Sequence, residues 1–396
     1  MTTMLVAGVE SLFERSSAGA GRRPTLSTCV SKYSMTPQPN SKPKYSKLIS
    51  QNCFTMSLLA PRITAAASKH QRCVSTAGLS LYDRYHRCSI SSTSTPKLAY
   101  EIITDGKVSS SPHDIINQDK QTIVFLHGLL GNAKNLRTPA KKLTRQLPNL
   151  SALLLDVRGH GGSSGSQQHV QPHNFHSCVE DIFHTLKPLG LVGENSPTAI
   201  CGHSLGGRIA LQYTHTLQQQ DHDIQTPQQT WILDSVPGTP DPSVHHVLKA
   251  ISSIPLPIAC KSSLTDTLMS EYKMNKAIAM WIASNLKGKS GEHDWVFDLD
   301  IANELVDNFA DQNFDTMIHE ITSGSSGRAL DSTIQLVMAG RNKEWKDDIV
   351  SSLRSIPTYG DSFHMHKLEN AGHWVHVDAV NELTQLMVDG LSNTRR

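Results

Sequence analysis

The sequence predicts an α/β protein in which helices cover both faces of a mostly parallel sheet and a helical cap is inserted into the fold. Short apolar stretches alternate with amphipathic stretches in residues 96–238 and again in residues 326–396, as strand–helix–strand units require. Residues 239–325 show helical periodicity without a comparable strand pattern, which indicates the cap. A Gly-x-Ser-x-Gly motif at residues 202–206 lies where a predicted strand meets a predicted helix.

The individual elements follow from hydrophobic periodicity and from the turn residues that bound it. The predicted strands are residues 98–103, 122–126, 151–156, 198–201, 230–234, 333–339 and 363–368. The predicted helices of the sheet domain are residues 134–146, 173–187, 204–216, 346–353 and 379–391. The helical segments of the cap lie near residues 243–254, 264–287 and 301–321.

Charge is distributed unevenly along the chain. Residues 1–95 hold twelve Lys or Arg and only three acidic residues, whereas the remainder has a net charge of −7. The acidic remainder argues against nucleic acid as the main partner. A basic leader rich in Ser and Thr is typical of an organelle transit peptide followed by a disordered linker, and we expect a mitochondrial address ahead of a plastid one. If the leader carries no address, the protein is expected in the cytoplasm.

The composition is that of a protein with a large core, since 38% of the 396 residues are hydrophobic and 18% are charged. No apolar run approaches the ~20 residues that span a bilayer as a helix, so we expect no transmembrane segment. The seven cysteines include no C-x-x-C pair, which predicts reduced thiols in an intracellular compartment. They are Cys29, Cys53, Cys73, Cys88, Cys178, Cys201 and Cys260.

Ser204 is the predicted nucleophile. A sharp strand-to-helix turn at this serine forces unusual backbone angles, and the small residues Gly202 and Gly206 make room for it. Such a turn presents the hydroxyl to substrate. It also places the Leu205 amide at a helix N-terminus, where it can bind a developing oxyanion. The alternative is a glycine-rich turn that happens to contain a serine.

A serine hydroxyl needs a base, and His373 is the predicted one. It follows the last predicted strand, so its loop lies at the carboxyl edge of the sheet, where open α/β sheets place their sites. The chain has 20 histidines, and the others fit structural positions better. His364 and His366 alternate along a strand, His160 lies in a glycine turn, and His203 packs beside the nucleophile.

The acid of the triad has two candidates. Residues 338–344, after the penultimate strand, hold no Asp at the turn where an acid is often found. Asp234 directly follows the preceding strand and can reach the same imidazole from the neighbouring strand end, so it is the first choice. Asp300, at the edge of the cap, is the second. For Asp234 the alternative role is a helix or loop cap, while Asp347 and Asp348 fit an exposed helix surface.

The second oxyanion donor is predicted to be the Leu129 amide, in the glycine-containing loop after residues 122–126. Residues 156–164 are glycine-rich, but Ser164 occupies the third glycine position of a G-x-G-x-x-G motif. The sequence has no G-K-[ST] segment for a phosphate-binding loop and no cluster with metal-ligand spacing. We therefore expect no cofactor and no metal.

Four motifs resemble those of the α/β-hydrolase superfamily: HGLLGN at 127–132, DVRGHG at 156–161, GHSLGG at 202–207 and NAGHW at 370–374. More narrowly, the chain looks like the abhydrolase-domain-eleven group of mitochondrial serine hydrolases and the related bacterial YbfF-type esterases. The resemblance covers residues 97–392. The chain departs from the group in its long leader, in a glutamine-rich loop and in a bulkier cap.

Two further segments carry the resemblance and bear on the acid. LDSVP at 233–237 resembles a segment of that group which shares the missing acid after the penultimate strand. Residues 295–300 resemble a group segment whose acid is sometimes assigned to the triad, which keeps Asp300 open.

The resemblance implies a serine hydrolase that cleaves a small-molecule acyl ester through an acyl-enzyme on Ser204. His373 and Asp234, or alternatively Asp300, complete the triad. Thioester hydrolysis and C–C bond hydrolysis are alternatives on the same fold. A binding protein that retains the triad without turnover is a third alternative.

Overall fold

The structure is a computed structural model that describes residues 97–109, 111, 115, 121–165, 169–219, 225–323 and 332–392. The predicted leader, residues 1–95, lies outside the described residues. So do part of the glutamine-rich loop and the predicted boundary at residue 326. Within the described part of the chain, no helix is both long and apolar enough to cross a membrane.

Two sheets are formed by the described strands: β1 Tyr100–Thr104, β2 Lys107–Ser109, β3 Gln121–Leu126, β4 Leu150–Leu155, β5 Ala199–His203, β6 Gln229–Leu233, β7 Leu286–Lys287, β8 Asp294–Trp295, β9 Thr333–Ala339 and β10 Phe363–Leu368. The main sheet has the order β10-β9-β6-β5-β3-β4-β1-β2. Strand β1 runs antiparallel to β2 and β4, and the other pairs of this sheet are parallel. Strands β7 and β8 form a separate antiparallel hairpin.

The described α-helices are α1 Arg137–Gln146, α2 Phe175–Leu186, α3 Leu205–Gln218, α4 Pro242–Ser252, α5 Lys261–Ser270, α6 Lys276–Ser284, α7 Leu299–Asp307, α8 Phe314–Thr322, α9 Asp347–Arg354, α10 Val375–Asp378 and α11 Val380–Ser392. Helices α4 to α8 and the hairpin lie between β6 and β9 in the chain. They occupy the segment in which the sequence predicts a cap, and we refer to these helices and the hairpin as the cap.

Apolar side chains cover both faces of the main sheet. In β3, Ile123 and Phe125 pack in a cluster with residues of α1 and α11, whereas Val124 and Leu126 pack in a cluster with α2 and α3. All four side chains are at most 1% exposed. A parallel sheet with helices on both faces requires such continuous apolar strands, and the predicted fold class is confirmed.

Two of the helical segments predicted for the cap need correction. Residues 264–287 form two helices because Lys273 turns to a φ of 56° and Asn275 caps α6 by accepting from the Ile278 amide. Residues 301–321 also divide, and Asn313 caps α8. The hairpin β7–β8 was not predicted, because strands of two residues are too short to show periodicity. Short elements β2 and α10 were missed for the same reason.

The loop after β4 forms backbone hydrogen bonds with the cap. The Asp298 amide donates to the Gly159 carbonyl at 2.7 Å, and His160 forms a β-bridge with Phe297. A side chain at position 159, where φ is +73°, would meet Ile301 at 2.6 Å. Glycine is therefore required where the cap approaches this loop.

Candidate active site

The turn at Ser204 has the strained geometry that the motif predicts. Its φ of 52° and ψ of −116° lie outside the usual regions for a residue with a side chain, at a cost of about 1–3 kcal/mol. A Cβ on Gly202 would lie 1.9 Å from the Gly206 carbonyl oxygen, and one on Gly206 would lie 2.3 Å from that of Leu126. Only glycine fits at both positions, so β5 and α3 can meet in this tight turn.

Three backbone-directed hydrogen bonds anchor the turn. The Ser204 amide donates to the Leu233 carbonyl at 2.9 Å. The Ser235 hydroxyl donates to the Ser204 carbonyl at 2.6 Å, and the Gly207 amide donates to the same oxygen at 2.9 Å. The nucleophile turn is thereby tied to the end of β6, where the predicted acid lies.

His373 and Asp234 are brought together. The distance between His373 Nδ1 and Asp234 Oδ2 is 2.7 Å, and the Asp234 residue is 1% exposed. Because a carboxylate only accepts, Nδ1 carries the proton and Nε2 presents its lone pair. That is the tautomer a general base needs. This contact supports the sequence prediction that Asp234 partners His373.

Asp300 lies elsewhere, as an exposed residue in the first turn of α7. Its amide donates to Asp298 Oδ1 at 3.1 Å, because Asp298 is the N-cap of that helix. Among the described residues the carboxylate that meets His373 is that of Asp234. The geometry therefore favours Asp234 over Asp300.

Three further groups hold the Asp234 carboxylate, and sequence reasoning missed them. Oδ1 accepts from the Ala339 amide at 2.8 Å and from Trp345 Nε1 at 2.6 Å, while Oδ2 accepts from Asn342 Nδ2 at 2.8 Å. The end of β9 and the segment after it donate to an acid on the neighbouring strand, and that acid contacts His373. The useful sequence signal was Asn342 at the position where an Asp was sought.

A cluster of imidazoles supports the His373 loop. His203 Nε2 donates to the His373 carbonyl at 2.8 Å, and the His203 ring lies 4.7 Å from the His373 ring and 4.4 Å from the His376 ring between centroids. Burial, with the neighbouring histidines, holds the pKa of His203 well below its usual value and lowers that of His376 to about 3. Both rings are therefore neutral near pH 7.

The loop that carries Leu129 is a tight turn. The Gly131 amide donates to the Gly128 carbonyl at 3.0 Å, and Leu130 has a φ of 58°. His127 Nδ1 donates to the same Gly128 oxygen at 2.8 Å. Leu205 begins α3, so its amide has no acceptor within the helix. The arrangement is compatible with both predicted oxyanion donors, Leu129 and Leu205.

A cavity of about 420 Å³ connects these groups, a size common among small-molecule sites. Ser204, His373 and Leu129 line it. Cap residues provide an apolar wall made of Val244, Val247, Trp281 and Phe309. Polar side chains occur at Lys134, Asn135, Thr138 and Asp378. The cavity can hold an ester with an apolar chain under the cap.

The buried histidines predict acid sensitivity. Burial lowers the pKa of His127 to about 4 and of His160 and His376 to about 3, with that of His203 also well below its usual value. In the unfolded chain these groups bind protons below about pH 6.5. The free energy of unfolding should therefore fall as the pH decreases from about 6.5 towards 4, by at most ~1.4 kcal/mol per pH unit for each histidine.

Urea unfolding at pH 7.5, 6.5, 5.5 and 4.5 measures this loss. His376→Asn should reduce the dependence on pH, whereas the matched change at the exposed His245 should leave it unchanged. A constant free energy of unfolding between pH 7.5 and 5 would contradict the neutral buried imidazoles.

The described residues contain no group of three or more His, Cys, Asp or Glu that could hold a metal ion. The three described cysteines are free: Cys178 and Cys201 are buried, and Cys260 is partly exposed. Burial raises the pKa of Cys178 to about 12 and also raises that of Cys201. Neither buried thiol is part of the site.

Comparison with known proteins finds similar sequences. A family profile described as "Serine aminopeptidase, S33" matches residues 117–269. The "sn-1-specific diacylglycerol lipase ABHD11" of Danio rerio is 25% identical over 312 residues, which is 76% of this chain and 84% of the relative.

Solved structures share the fold. A structure titled "Marine microorganism esterase" superimposes with a TM-score of 0.54 at 19% identity, over 74% of this chain and 99% of that chain. A "Thioesterase Domain From Curacin Biosynthetic Pathway" gives a TM-score of 0.50 at 16% identity, over 74% and 95% of the two chains. At these identities the likeness establishes the fold.

Proposed function

We propose that the chain is an ABHD11-like α/β-hydrolase of the lipase or esterase type and that it cleaves carboxylic esters through an acyl-enzyme on Ser204. The observation that carries the proposal is the 2.7 Å contact between His373 and Asp234 at a cavity that also contains the strained Ser204. A buried carboxylate that orients an imidazole beside such a serine is the arrangement of a catalytic triad.

In the acylation step, His373 Nε2 removes the proton from Ser204 Oγ as this oxygen attacks the ester carbonyl carbon. The amides of Leu129 and Leu205 donate to the oxyanion that forms. Asp234 stabilises the imidazolium through Nδ1. The imidazolium then protonates the leaving alcohol as the C–O bond breaks, which leaves the acyl group on Ser204.

In the deacylation step, His373 removes a proton from a water molecule, and the resulting hydroxyl attacks the acyl carbon. The tetrahedral intermediate uses the same two amides. Its collapse breaks the bond to Ser204 Oγ, which takes the proton back from His373. The carboxylic acid leaves, and no cofactor enters the cycle.

The distribution of polar side chains favours one orientation of the substrate. Val244, Val247, Trp281 and Phe309 would contact the acyl chain under the cap, and burial of each methylene would contribute about 0.8 kcal/mol. The alcohol part would lie toward Lys134, Asn135 and Thr138. The substrate class is therefore a small-molecule ester with a medium acyl chain and a polar alcohol.

The test is turnover of a panel of p-nitrophenyl esters from acetate to dodecanoate, together with a diacylglycerol, matched acyl thioesters and a β-diketone. We expect kcat/KM for the esters to rise with chain length until the cavity is filled, and to exceed that for the matched thioesters. A thioester preference would favour the thioesterase alternative, and an absence of sustained turnover would favour a binding protein. Cleavage of a β-diketone in preference to esters would favour C–C bond hydrolysis.

We also propose a division of the chain into a leader, a cap and a sheet domain around this site. Residues 1–95 would form a transit peptide and linker, residues 239–325 the cap, and residues 96–238 and 326–396 the sheet domain. The basic, acid-poor composition of the leader supports an organelle address, mitochondrial before plastid. Import of a fusion between residues 1–95 and a reporter into isolated mitochondria and isolated plastids tests this address, and a reporter that stays outside both organelles would refute it.

A further inference from the structure

Arg208 lies one turn after Ser204 in α3, and its guanidinium is buried where the helix meets the cap. The residue is 2% exposed. Nη1 donates to the Phe309 carbonyl at 3.1 Å, and Nη2 donates to the Val236 carbonyl at 2.5 Å and the Gly238 carbonyl at 2.8 Å. These three acceptors are backbone carbonyls. Burying a cation against carbonyls has a desolvation cost. The burial of the Arg208 guanidinium therefore needs an explanation.

The acceptors belong to two separate segments of the chain. Residues 236–238 lead from β6 and Asp234 into the cap, and Phe309 follows α7 near the other end of the cap. Gln312 Nε2 adds a second link, because it donates to the Arg208 carbonyl at 2.9 Å. The first turns of α3 are thus joined to both the entrance and the exit of the cap.

Phe309 connects Arg208 to the active-site cavity. The Arg208 guanidinium carbon lies 4.2 Å from the centroid of the Phe309 ring and 5.1 Å from that of Phe314. Phe309 is also one of the apolar residues that line the cavity with Ser204. One side chain therefore fixes both the backbone and the ring of a residue in the proposed acyl-binding wall.

We propose that Arg208 is a positioning residue for acyl-chain recognition, acting through Phe309. This proposal rests on the proposed ester hydrolysis at Ser204. A planar guanidinium can reach carbonyls in two segments at once, whereas a lysine ammonium is a point charge on a flexible stem. Loss of the guanidinium releases Phe309 from α3, and the wall against which a longer acyl chain packs is no longer held in place.

The experiment compares p-nitrophenyl octanoate with p-nitrophenyl acetate for Arg208→Lys and Arg208→Gln. We expect the ratio of kcat/KM for octanoate to that for acetate to fall about tenfold in both variants, mostly through a higher KM for octanoate. Phe309→Ala should lower the ratio to a similar extent. The double variant Arg208→Lys/Phe309→Ala should show no further decrease, because both changes affect one contact.

Ile209→Ala is the matched control, since Ile209 is the next residue of α3 and is fully buried in the core. It should lower the Tm without changing the chain-length ratio. An unchanged ratio in both Arg208 variants, or a ratio in the double variant that is the product of the single effects, would overturn the proposal. A wild-type protein without ester turnover would instead refute the proposed function itself.

Discussion

Replacing Ser204 with alanine is expected to lower kcat for ester hydrolysis by about 10⁵- to 10⁶-fold. Ser204 Oγ is the atom that attacks the carbonyl and carries the acyl group, and a methyl group can do neither. The remaining rate would come from substrate binding and from the oxyanion donors. Steady-state hydrolysis of p-nitrophenyl octanoate by wild type and variant measures the loss.

Ser235→Ala is the matched control for this change. Its hydroxyl donates to the Ser204 carbonyl at 2.6 Å, so the variant loses one hydrogen bond near the turn but keeps the nucleophile. We expect it to remain within about tenfold of wild type, in line with the loss of a single hydrogen bond. If Ser204→Ala were no worse than Ser235→Ala, Ser204 would not be the nucleophile.

Asp234→Asn is expected to lower kcat by about 10⁴-fold. The Asn amide nitrogen would donate toward His373 Nδ1 and favour the tautomer with its proton on Nε2, which cannot accept the Ser204 proton. The variant also removes the negative charge that stabilises the imidazolium. Kinetics with p-nitrophenyl octanoate measure the effect, and far-ultraviolet circular dichroism checks that the variant is folded.

Asp300→Asn is the control for the competing assignment. Because Asp300 is exposed in the first turn of α7, this variant should retain activity within about twofold, as expected of a surface change. A large loss in Asp300→Asn together with an active Asp234→Asn would transfer the role of the acid to Asp300.

The strong hydrophobic periodicity of the sequence was sufficient to predict each strand of the main sheet except β2. Strands β9 and β10 have the predicted boundaries, and the turn at Ser204 has the predicted position. These features depend on local patterns, namely apolar runs and glycines at positions that exclude a Cβ. The sequence could also rank Asp234 ahead of Asp300, because the ends of neighbouring parallel strands meet at one edge of the sheet.

The groups that support the site could not be found in this way. Asn342 and Trp345 donate to Asp234 across more than 100 residues of sequence. A local sequence pattern does not reveal a contact between residues so far apart. The contacts of the buried Arg208 guanidinium could not be predicted either, because its acceptors are backbone carbonyls that any residue type provides. The breaks within the cap helices depend on single residues such as Lys273 and Asn275, whose effect is weaker than the helical periodicity around them.

Labelling by a fluorophosphonate probe, followed by peptide mass spectrometry, tests the central claim most directly. The probe reacts with an activated serine, so its site of attachment identifies the nucleophile without any assumption about the natural substrate. We expect one probe per chain, attached at Ser204, with loss of esterase activity in proportion to labelling and no labelling of Ser204→Ala. Attachment at another residue, or full esterase activity in the labelled protein, would contradict an acyl-enzyme at Ser204.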